Sequence, residues 1–210
     1  CAYVLGENIG GRYNVGARFP EADTYDVFAQ IEVYNVAFTN NYYQWSLTEN
    51  VALEGSLQVK NTSASAISNV TVSWDNLPEG YEAKFESISK LEAGATGSIG
   101  YKIVSTIPSN SNGYSTSEIK VSCAEGVNTS TIVYYRCSAA RSNIVIDNPE
   151  LNTTLKTGSV RSYDVEITNA GLKETDAITL EIPSSTPWLG CTTPTTLPSL
   201  AQGESHTLSL

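Results

Sequence analysis

The sequence predicts an all-β fold: two tandem antiparallel β-sandwiches, the second lacking its last two strands within the chain. Three observations predict it. Nearly every patterned segment alternates apolar and polar residues with period 2, and none carries the 3.6-residue period of a helix. Clusters of Pro, Gly and Asn, such as "NLPEG" and "PSNSNG", separate those segments. The chain also resembles itself when slid by 108 residues.

The elements follow in order. "GRYNVGARF" (11–19) alternates Tyr13, Val15, Ala17 and Phe19. "YDVFAQIEV" (25–33) alternates Val27, Ala29, Ile31 and Val33, with "PEAD" as the turn between. "LEGSLQVKN" (53–61) places Leu53, Gly55, Leu57 and Val59 on one face. "NVTVSWD" (69–75) does so with Val70, Val72 and Trp74, and "GSIGYKI" (97–103) with Ile99, Tyr101 and Ile103. "SEIKVSC" (117–123) gives Ile119, Val121 and Cys123, and "STIVYYRC" (130–137) closes the set. One-sided alternation at this spacing is the signature of half-buried antiparallel strands.

The repeat is read position by position. Asn35 meets Asn143, Val36 meets Ile144, Phe38 meets Ile146 and Asn40 meets Asn148. Leu47 meets Leu155, Leu57 meets Val165, Val59 meets Ile167 and Asn61 meets Asn169. Val70 and Val72 meet Ile178 and Leu180. With one residue inserted, "LEAG" (91–94) meets "LAQG" (200–203).

A strand ending in Asn, an "NVTVSW" strand, an "LPEG" turn and "LEAGATGSI" resemble the CARDB-like and related Ig-like modules of prokaryotic surface proteins. The resemblance covers about residues 30–137 and again 138–210. It implies Ig-like sandwiches used as stalks, spacers or adhesive surfaces, and carries no catalytic residue with it.

After "LEAG" the first repeat runs on for 43 residues, whereas seven follow "LAQG". Residues 1–29 precede the first repeat and, slid by 108, fall on the missing hairpin. The expectation is that 1–29 are donor-type strands that complete a neighbouring domain, 30–137 are sandwich one and 138–210 an incomplete sandwich two. Donor-strand pili and archaeal threads have a similar layout, in which a head-to-tail contact that does not close builds a filament. An excerpt of a longer array is the competing reading.

Four cysteines and four sequons point to an extracellular setting. The sequons begin at Asn61, Asn69, Asn128 and Asn152. No two of Cys1, Cys123, Cys137 and Cys191 form a CxxC pair. With Cys123 opposite residue 131, Cys137 lies about 17 Å away along the strand, beyond the roughly 7 Å a disulfide allows between Cα atoms. Strand directions instead favour Cys137–Cys191 and Cys1–Cys123 as clamps at domain junctions.

Net charge is −10, from 12 basic and 22 acidic side chains, with no basic stripe for a nucleic acid. No apolar run spans a membrane. The single histidine, His206, lies in step with Leu208 and Leu210, and no catalytic motif accompanies it. Glu21, Asp23 and Asp26, like Asp147 and Glu150, read as solvated carboxylates rather than a calcium site. No cofactor is expected. Tyr42, Tyr43 and Trp45 read as a strand burying alternate rings, with a sugar-stacking platform as the alternative. Trp74 and Trp188 read as core.

The expected function is structural: a non-enzymatic, N-glycosylated subunit or repeat of an extracellular filament or surface stalk, whose partners are further copies of itself. The alternative is a non-catalytic adhesin or carbohydrate-binding spacer of a larger surface protein.

Overall fold

A computed structural model describes residues 10–19, 24–109, 113–147, 150, 152, 154–181 and 195–210. Every regular element among them is a strand. The chain divides into two compact units, residues 1–139 and 140–210.

The first unit opens with a hairpin of β1 (Gly11–Phe19) and β2 (Thr24–Val33). Its ladder runs from Gly11↔Val33 to Phe19↔Thr24, with a bulge at Val15/Gly16 that leaves Phe28 outside the pairing. Among the described residues these two strands pair only with each other.

A sandwich follows. One sheet holds β3 (Val36–Phe38), β5 (Leu53–Asn61), β9 (Thr96–Ser105) and β7 (Tyr81–Phe85), in that order. The other holds β4 (Tyr42–Thr48), β11 (Asn128–Ser138), β10 (Ser115–Ser122), β6 (Ile67–Ser73) and β8 (Ser87–Leu91). The predicted alternation decides which side chains face inward. Leu57, Val59, Ile99 and Ile103 from the first sheet meet Val70, Ile119, Val121 and Val133 from the second in one core. Each such side chain contributes about 1.5–3 kcal/mol by leaving water.

One pairing departs from the antiparallel expectation. β4 runs parallel to β11, from Tyr42↔Ile132 to Thr48↔Ser138. The cause is a bend at residues 39–41. Before it, β3 pairs with β5; after it, the same edge segment continues as β4 in the opposite sheet. A strand that switches sheets in this way fastens both layers at one corner.

The second unit contains β12 (Ile144–Ile146), β13 (Asp164–Asn169) and β16 (Ser205–Ser209) in one sheet, and β14 (Ile178–Thr179) with β15 (Thr196–Leu197) in another. Its ladders reproduce those of the first unit. Val36↔Asn61 recurs as Ile144↔Asn169, Leu57↔Ile99 as Val165↔Leu208, and Val70↔Ile88 as Ile178↔Leu197. The turns match too. Gly94 and Gly203 have φ of 70° and 75°, and each sits third in a turn closed by Ala95 N–H to Glu92 O or Glu204 N–H to Ala201 O. Only glycine adopts that backbone without strain. The core here is small: Val165, Ile167, Leu197, Leu200 and Leu208. No described residue of this unit takes the place of β10 or β11.

Candidate assembly edges

Asn61 is the sequon residue whose surroundings decide its role. It is fully buried at the end of β5. Its Nδ2 donates to the carbonyls of Ser65, Leu91 and Glu92, at 2.8, 3.0 and 3.1 Å. Its Oδ1 accepts from Ser63 N–H at 2.8 Å. The amide therefore ties the end of β5 to the 91–92 turn, and a glycan on it has no room. The sequon at Asn61 is thus corrected from a glycosylation site to a structural tie.

Asn169 makes the same tie in the second unit. Its Nδ2 donates to Lys173 O and Leu200 O, and its Oδ1 accepts from Asn143 and Gly171 N–H. Asn169 is followed by Ala-Gly, so it is no sequon. The repeat alignment already carried this signal. By contrast Asn69, Asn128 and Asn152 are exposed. After expression in a glycosylating host, peptide mapping of the folded protein is expected to find Asn61 bare. Glycan on Asn61 in natively folded protein contradicts the tie.

Cys123 and Cys137 are buried free thiols, and burial pushes both above the usual thiol range. Cys1 and Cys191 lie outside the described residues, so each of the two expected pairings, Cys137–Cys191 and Cys1–Cys123, has one member there. The 123–127 turn corrects the assumed register. Ser122 pairs with Asn128, so Cys123 stands in the turn itself rather than opposite residue 131. Cys137 is nine positions further along β11, about 30 Å away. A bridge between those two is excluded more firmly than the sequence implied.

The aromatic trio divides as a strand requires. Trp45 is buried against Trp74 and Tyr101, with centroids 5.2 Å apart in both cases. Tyr43 is half-buried edge-on to Phe38, and Tyr42 is exposed edge-on to Tyr134. Trp74 is core, with Nε1 donating to Ser117 Oγ at 2.9 Å. Trp188 lies outside the described residues, as do Glu21 and Asp23. Asp147 Oδ1 accepts from Glu166 N–H. His206 is half-buried on β16 opposite Ile167. No three His, Cys, Asp or Glu side chains among the described residues gather to hold a metal.

The donor residues Tyr13, Val15, Ala17, Phe19, Val27, Ala29, Ile31 and Val33 all lie in the β1–β2 ladder. Its strands of 9 and 10 residues are close in size to β10 and β11, with 8 and 11.

The two units differ sharply at one edge. In the first, β3 lies under β11. Thr129 Oγ1 donates to Val36 O at 2.6 Å, and Thr131 Oγ1 to Asn41 O at 2.9 Å. Val36 is 0% exposed. In the second unit, its counterpart Ile144 is 39% exposed, and Val145 and Ile146 follow at 47% and 45%. Three consecutive exposed apolar residues on an edge strand are a template for another strand.

No family model and no curated protein matches the chain. Solved structures do. PapD-like domain 7 of human CEP192 is 12% identical, with a TM-score of 0.38 over 50% of this chain and 87% of that one. The Escherichia coli chaperone DraB is 11% identical, with a TM-score of 0.36 over 84% and 85%. The Pseudomonas aeruginosa chaperone CupB2 is 10% identical, with a TM-score of 0.33 over 82% and 87%. The fold is Ig-like. Two facing sheets, an edge segment shared between them and ladders repeated in both units are its features here.

Proposed function

We propose that this chain is a structural subunit or repeat of an extracellular filament or surface stalk, assembled head to tail by β-strand complementation between copies. One observation supports it most. The second unit repeats five strands of the first, yet leaves Ile144, Val145 and Ile146 exposed where the first unit's β3 lies under β11. The hairpin β1–β2 supports it further, because it is close in size to β10–β11 and pairs with no other sheet among the described residues. An edge met by strands of another molecule is β-augmentation. Donor and acceptor lie in different parts of the chain, so the contact is heterologous and propagates. The resemblance to CARDB-like surface modules, the three exposed sequons and the acidic surface fit the same setting.

The purified chain is expected to form fibres in electron micrographs, with a mass that rises with concentration in light scattering. A chain starting at Tyr34 is expected to stay monomeric. A parent chain that is monomeric at every concentration, or fibres that persist without residues 1–33, sinks the reading.

A further inference from the structure

In the first unit the hairpin β10–β11 sits between two fixed neighbours. On one side β10 pairs antiparallel with β6, through Val121↔Val72. On the other, β11 pairs parallel with β4, through Cys137↔Leu47. Both neighbours have counterparts in the second unit. β14 is the counterpart of β6, as the Ile178↔Leu197 and Val70↔Ile88 ladders show. Thr154, Leu155 and Lys156 are the counterparts of Ser46, Leu47 and Thr48 by the same 108-residue slide. Yet among the described residues β14 pairs with β15 alone, and residues 154–156 form no strand. Leu47 is 2% exposed, whereas Leu155 is 46% exposed.

By its place in the repeat Leu155 corresponds to the inward-facing Leu47, and among the described residues no strand covers it. Residues 46–48 of the first unit are a strand because β11 supplies their backbone partners. Nothing in "TLK" opposes that conformation. The segment is a strand in waiting.

We propose that residues 154–156 and β14 form the two walls of a slot that takes the β1–β2 hairpin of a second molecule. β1 docks antiparallel on β14, and β2 docks parallel on residues 154–156, which become a strand and bury Leu155. The order of strands fixes this sense. In β10–β11 the earlier strand faces β6 and the later one faces β4. The 108-residue slide lays β1 on β10 and β2 on β11, so the same order puts β1 on β14 and β2 on residues 154–156.

This inference rests on the strand-complementation reading and is tested so that the two fail separately. Hydrogen exchange is compared between the assembled chain and the monomer starting at Tyr34. The amides of 154–156 are expected to exchange at least about ten-fold more slowly in the assembly. Leu155→Lys is expected to weaken association by about ten-fold or more. Val160→Lys, at a site already 95% exposed, is expected to leave association unchanged. Leu155 is exposed before docking, so the lysine variant keeps the monomer's β-sheet circular dichroism. If residues 1–33 drive assembly but 154–156 exchange as fast as in the monomer, or Leu155→Lys assembles normally, the slot is wrong and complementation occurs elsewhere. If the parent chain never associates, or the chain starting at Tyr34 still does, both ideas fall.

Discussion

Asn61→Ala is expected to lower the stability of the first unit by about 3–5 kcal/mol, read as a fall in the urea midpoint. The amide's two N–H hydrogens are shared among three carbonyls, and its oxygen accepts one further bond. Alanine leaves Ser63 N–H and the carbonyls near the 91–92 turn without that partner, and each buried group left unsatisfied costs about 1–3 kcal/mol. Total stabilities are only about 5–15 kcal/mol, so the loss is a large share. Asn61→Asp separates the donors from the shape. The introduced carboxylate still accepts from Ser63, but it points negative charge at three carbonyl oxygens. Its folded pKa is therefore raised above the unfolded value of about 3.9. The sign follows: the variant is least destabilised below that unfolded value and loses stability as pH rises through the folded one. A variant equally stable at pH 4 and pH 8 contradicts this account. Asn169→Ala is expected to act on the second unit, whose smaller core leaves less in reserve.

Trp74→Ala is the second large effect, at about 3–5 kcal/mol. The ring is buried among Trp45, Tyr81 and Tyr135, with centroids at 5.2, 6.0 and 5.3 Å. It fills the end of the sandwich where those rings meet, and edge-on or tilted contacts add to the area it removes from water. Trp74→Phe keeps most of that contact and gives up the hydrogen bond to Ser117. It is expected to cost about 1 kcal/mol beyond any loss of packing. Equal midpoints for the alanine variant and the parent contradict the placement of Trp74 in the core.

The strands and their register were legible because alternation is local. Leu57, Val59, Ile99 and Ile103 announce their inward face within their own segments, and the 108-residue slide aligns the ladders of the two units almost pair for pair. The role of Asn61 was hidden because a sequon is three residues long, whereas burial is decided by the 91–92 turn thirty positions away. The parallel β4–β11 pair was hidden for a similar reason. No local pattern marks residues 39–41 as the point where an edge segment changes sheets. Cys123 was misplaced along its hairpin because its turn spans residues 123–127, and alternation alone does not fix where a turn begins.

The parallel pair has a mechanical consequence. β4 enters the first unit's larger sheet and β11 leaves it, and the two are adjacent from Tyr42↔Ile132 to Thr48↔Ser138. Tension applied through the chain on either side pulls the start of β4 and the end of β11 in opposite directions. Because the strands are parallel, those points lie at opposite ends of the ladder. The load therefore shears all its rungs together instead of peeling them one at a time. A module fastened in this way resists stretching far better than its thermodynamic stability alone implies.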